Sequence, residues 1–128
     1  MPGDNVSLTA AEWNVMEWLW EEAPQTAMQL AGQLHDQVGW AKSTTMTMLS
    51  RLEKKGLLTC TGPEKPKHYA TAIRREDAVR RETKSFVQRV YRGSVGMMMS
   101  SLVEQQELTK EEIDQLYAIL KKAEEEAK

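Results

Sequence analysis

Apolar residues recur at helical spacing along three early stretches of the chain, and each stretch carries its own start or stop signal. Thr9-x-x-Glu12 and Thr26-x-x-Gln29 are capping boxes, with a side-chain acceptor at N-cap and an acid or amide at N3. The first predicts a helix over about 10–22, with Trp13, Met16, Trp20, Val15 and Leu19 apolar, ended by Ala23-Pro24. The second predicts a helix over about 27–37 burying Ala27, Leu30, Ala31 and Leu34, then a connector Val38-Gly39-Trp40. A third runs over about 42–55. Its inner set is Thr45, Met48, Leu49 and Leu52, and Gly56 stands at C′ after Lys54-Lys55.

The period then shortens. Leu57 to Thr61 and Lys67 to Ile73 are short runs of β propensity around a Gly62-to-Pro66 turn, which predicts a hairpin. From Arg74 the helical period returns: a helix over about 75–92, an interruption within Gly93 to Gly96, and a Met-rich helix over Val95 to Val103. A third capping box, Thr109-x-x-Glu112, opens a last helix over about 110–126, striped by Ile113, Leu116, Tyr117, Leu120 and Ala123. Three helices, a hairpin and three more helices make a mainly α chain. The order is that of a winged helix–turn–helix domain over 1–73, followed by a helical region over 74–128. The late helices carry apolar stripes without the bulk to close a core, so a second copy of the chain is the expected cover. Phe86, Val90, Met98, Leu102, Ile113, Leu116, Tyr117 and Leu120 are the candidate dimerisation residues.

Composition narrows the function classes. The chain has 128 residues, 41% hydrophobic and 28% charged, which is the balance of a soluble domain. One cysteine excludes an internal disulfide and a multi-thiolate zinc site. No run approaches the ~20 apolar residues of a membrane span. The start, MPGDNVSLTAAEW, lacks the basic and apolar regions of a signal peptide, so a cytoplasmic location and no membrane insertion are expected. There is no phosphate-binding glycine loop, HExxH or GxSxG, so neither an enzyme nor a bound metal or cofactor is expected.

Charge changes the picture more. Residues 1–39 hold six acids and no Lys or Arg, whereas residues 40–75 hold eight bases against two acids. A basic segment in a chain of net charge −2 suits a polyanion. On the third helix Lys42, Ser43, Thr44, Met46 and Thr47 are candidates for DNA contact. Arg51, Lys54 and Lys55 follow toward its exit as phosphate ligands, and Lys65, Lys67 and His68 flank the wing tip. Two function classes accommodate this pattern: a DNA-binding protein, and a protein-interaction module whose basic patch meets an acidic protein. Cys60, near the start of the wing, reads as a small buried hydrophobe, with thiol sensing as the competing role.

The run Leu8-Thr9-Ala10-Ala11-Glu12-Trp13-Asn14-Val15-Met16-Glu17-Trp18-Leu19-Trp20 resembles the opening of the BlaI/MecI family of penicillinase repressors. So does Thr44-x-x-Thr47-x-x-x-Arg51-Leu52-x-Lys54-Lys55-Gly56, which resembles the family's recognition helix and its exit. Tyr91-Arg92-Gly93 and Leu108-Thr109-x-x-Glu112-Ile113-x-x-Leu116 resemble its dimerisation region. The resemblance covers about residues 7–121. It implies a homodimeric winged-helix repressor on a palindromic double-stranded operator, inactivated by proteolysis through a membrane sensor-protease system. Departures are specific. Ser43 and Met46 stand where Lys and Arg are usual, and Ser101-Leu102 stands where resistance-type members are cut at Asn-Phe. The paired Cys-x-Cys motifs of the copper-responsive branch are absent.

Overall fold

The computed structural model describes residues 7–61 and 66–127. In chain order the elements are α1 (Ala10–Glu21), β1 (Gln25–Thr26), α2 (Ala27–Val38), α3 (Lys42–Lys54), β2 (Leu58–Cys60), β3 (His68–Thr71), α4 (Arg75–Tyr91), α5 (Val95–Gln105) and α6 (Lys110–Glu126). The chain divides into two compact units, residues 1–86 and 87–128.

All three capping boxes form. Thr9, Thr26 and Thr109 each accept from the N3 backbone amide, and the N3 side chain accepts from the N-cap amide in return. The exit of α3 is a Schellman closure. Gly56 takes φ +77°, its N–H donates to Glu53, and the Leu57 N–H donates to Leu52. Leu52 and Leu57 are both buried, so the closure also adds apolar contact to the core.

The core of the first unit joins Val15, Met16 and Leu19 of α1 to Leu30 and Leu34 of α2. Met48, Leu49 and Leu52 of α3 complete it with Leu57, Leu58 and Tyr69. The four inward positions read from the period of α3, with Thr45 among them, are all buried. Full burial of such side chains stabilises by roughly 1.5–3 kcal/mol each, so Leu49→Ala at the centre would cost about 2–5 kcal/mol. Trp13 and Trp20, in contrast, are half-buried and meet edge to face with centroids 5.3 Å apart. The Trp20 indole N–H donates to the Ile73 carbonyl at 2.9 Å, which fastens the return of the wing to α1. Trp40, also half-buried, packs against the same core from the α2–α3 connector.

The hairpin is one strand short of the sheet. Strand β3 lies between β2 and β1, antiparallel to both, with Cys60 opposite Tyr69 and Gln25 opposite Tyr69 on the other side. Residues 25–26 were expected only to precede a helix. A two-residue strand has no period to read, and its pairing is with residues 68–69. The start of α4 belongs to this unit. Its Glu82 carboxylate accepts the Leu8 N–H at 2.7 Å, its Arg75 pairs with Glu17 at 2.9 Å, and its Ala78 is buried.

The second unit contains α5 and α6. Arg92 and Gly93 both take positive φ and turn the chain, and Ser94 caps α5. No described residue of either helix is buried. Between them runs a groove of about 800 Å³ whose apolar lining includes Met99, Val103, Ile113, Leu116 and Leu120.

Candidate nucleic-acid interface

Helix α3 buries one face and presents the other. Ser43, Thr47, Ser50, Arg51 and Lys54 are exposed on its outward side, with Lys42 and Met46 beside them, whereas Thr44 is half-buried. The exposed stripe is polar and basic because the inner positions take the apolar residues at spacing i, i+3, i+4, i+7. Its N-terminus starts from Ala41 with no side-chain cap, so its first-turn amides keep no side-chain acceptor of their own. Helix α2 ends at Gly39 with φ +76°, and Trp40 leads straight into α3, which gives the two helices a short turn.

The polar side chains differ in what they have left to offer. The Thr47 hydroxyl donates to the Ser43 carbonyl at 2.9 Å, so its lone pairs and its methyl remain for a ligand. Met46, 41% exposed, supplies a flexible apolar contact. Arg51 and Lys54 lie in the last turn, where cations are favoured by the helix dipole as well as by an anion.

Lys55 is placed otherwise than the sequence suggests. Its ammonium donates to Glu12 Oε1 at 2.7 Å and to the Ser7 carbonyl at 3.3 Å. It is therefore turned away from the exposed stripe into a partner inside the unit. Glu12 is fully buried. Burial raises the pKa of its carboxyl, but the bond and charge of Lys55 and the Thr9 amide outweigh it and hold it below its ordinary value. Glu12 forms the capping box that Thr9-x-x-Glu12 predicts. The second bond, to a residue at the far end of α3, has no local signal.

The wing lies alongside. Lys67 is exposed, and His68 sits half-buried in β3 opposite Thr26, its N–H donating to the Thr61 hydroxyl. Lys65 lies outside the described residues. Cys60 donates its thiol to Glu53 Oε2 at 3.3 Å, linking the first wing strand to α3. That hydrogen bond, with the carboxylate charge behind it, raises the thiol pKa, which disfavours the thiolate that sensing or metal binding would need.

Phe86, the last residue of the first unit, is 42% exposed; in the second unit Val90, Leu102, Ile113, Tyr117 and Leu120 are exposed too, with Met98 and Leu116 half-buried. Ser101 and Leu102 lie within α5 rather than in a loop.

Comparison with known proteins gives a consistent result. The family model described as penicillinase repressor matches residues 8–122. The methicillin resistance regulatory protein MecI of Staphylococcus aureus (strain N315) is 28% identical over 122 residues, covering 95% of this chain and 99% of that protein. The penicillinase repressor of Bacillus licheniformis is 31% identical over 113 residues, 88% of each. The solution structure of the DNA-binding domain of the repressor BlaI superimposes with a TM-score of 0.53 at 27% identity, over 60% of this chain and 93% of that one. The Bacillus licheniformis BlaI monomeric form in complex with the blaP half-operator gives 0.51 at 27% identity, over 57% and 89%.

Proposed function

The chain belongs to the penicillinase repressor family and is a DNA-binding transcriptional repressor, and from that premise we propose that it acts as a homodimer on a palindromic operator. Residues 1–73 read the DNA, and residues 74–128 hold two copies together. The observation that carries this reading is the exposed face of α3, where Lys42, Ser43, Met46, Thr47, Arg51 and Lys54 stand on one helix whose opposite face is core. A helix so divided enters a major groove with its first turns toward base edges and its later bases toward phosphates. That the similar BlaI is seen in complex with a half-operator supports operator DNA as the partner here.

Arg51, Lys54 and Lys67 supply phosphate contacts, and Ser43, Met46 and Thr47 meet base edges. Met46 and the Thr47 methyl suit thymine methyl groups, and no Arg fork on this stretch addresses guanine. The unburied stripe of α6 is the surface a second copy covers. A repressor that acts on operator DNA would work in the cytoplasm, which is the location this reading proposes. Release through a sensor-protease system by cutting Ser101-Leu102 would require α5 to open first, because a helix does not fit a protease cleft extended.

The test is selection of duplexes from a random-sequence pool by the full chain. We expect an inverted repeat, bound with a steep salt dependence. Arg51→Ala should weaken selected and mixed-sequence duplexes alike and lower the salt slope by about one per protomer. Recovery of single, unrepeated sites would count against the homodimer, and an unchanged slope against Arg51.

A further inference from the structure

We infer that Glu12, fully buried, and Lys55, half-buried, form an ion pair that positions the recognition helix, and that Lys55 does not contact DNA. The inference rests on the reading of α3 given above and deepens it. Glu12 Oε1 does two jobs at once. It accepts the Thr9 N–H at 2.9 Å, which closes the start of α1, and the Lys55 ammonium at 2.7 Å, which holds the end of α3. Lys55 is the C-cap residue of α3, immediately before the Schellman closure at Gly56. One carboxylate oxygen therefore joins the N-terminus of α1 to the point where α3 hands the chain to the wing.

The pair cannot easily be lent to a phosphate. Glu12 is fully buried, and its Oε2 has no hydrogen-bond partner among the described residues. If Lys55 left, the carboxylate would keep Thr9 but lose its cation, and a buried charge without its counter-ion is costly. An exposed phosphate contact, screened by salt, returns less. The same segment is tied on its other side, since the Ser7 carbonyl accepts from Lys55 and the Leu8 N–H donates to Glu82 of α4. Residues 7–12 thus strap the exit of α3, and the tilt of the helix in a groove depends on that strap.

The experiment uses the full chain with two probes: the duplex it selects from a random-sequence pool, and a mixed-sequence duplex. Lys55→Met and Glu12→Gln should each lower the preference for the selected duplex about tenfold, the order of one mismatched base pair. The double variant should lose no more than the worse single one. Salt slopes should stay as in the unaltered chain, whereas Arg51→Ala lowers its slope by about one per protomer. Lys55→Arg, which keeps the pair, should retain the preference. Overturning results are a slope for Lys55→Met that falls like that of Arg51→Ala, or folded variants whose preference is unchanged.

Should the variants not fold, lysine acylation of the unaltered chain decides. Lys55 should react slowly without DNA and gain no protection from the mixed duplex, while Lys42 and Lys54 gain it. A fast Lys55 that DNA then protects overturns the inference. A chain that prefers no duplex defeats the reading of α3, and the reactivity of Lys55 in the free chain still judges the pair.

Discussion

Thr45 shows how much a single buried atom can reveal. Its side chain is fully buried on the inner face of α3, and its hydroxyl has no hydrogen-bond partner among the described residues. Periodicity placed the residue inward. What it could not supply was the fate of the hydroxyl, which depends on neighbours distant in sequence. An unpaired hydroxyl in a core costs about 1–3 kcal/mol, and valine fills nearly the same space without it. Thr45→Val should therefore raise stability by about 1 kcal/mol, seen as a higher urea midpoint at unchanged slope. A lower midpoint would mean that the hydroxyl has a water or backbone partner. Glu12 is the converse case. An acid in the first turn reads as surface capping, yet here it is core, because its counter-charge arrives from Lys55. Sequence shows the two charges and not their meeting.

At the scale of elements, the helices were legible because each carries its own punctuation: a capping threonine, a glycine exit or a sharp turn. The wing was legible as two runs around Gly and Pro, but β1 was not, since its existence depends on a ladder formed with β3. The outward positions that the period gives α3 are exposed from Ser43 to Lys54, and Lys55, which pairs with Glu12, lies where the helix stops being periodic. Helix α6 poses the remaining question. It has seventeen residues and an apolar stripe, yet none of its described residues is buried. Leu116 is half-buried at the centre of that stripe and lines the groove shared with α5. Moving an apolar side chain fully out of water is worth roughly 1.5–3 kcal/mol, and a symmetric pair would count it twice. Leu116→Lys should shift the protein toward monomer in sedimentation at low micromolar concentration, with the winged-helix unit still folded. A variant that stays dimeric would move the interface elsewhere.

For the whole molecule, the question is what tethering adds. Two half-sites one helical turn apart lie about 34–36 Å from each other, and a joined pair of readers gains roughly 10²–10⁴ in avidity over one. A chain ending at Ser101 keeps all of the first unit and loses the end of α5 with all of α6. It should be a folded monomer whose affinity for the selected duplex approaches that for mixed sequence at physiological salt. Retained dimerisation and full protection of the repeat would refute the tether. The distribution of indole rings bears on how such chains are watched. Trp13, Trp18, Trp20 and Trp40 all lie in the first unit, with Trp20 bonded to Ile73 and Trp40 at the entry to α3. Tryptophan fluorescence therefore arises wholly from the reading unit: quenching or a shift of emission can register DNA arriving beside α3, with no indole of the second unit to mask it.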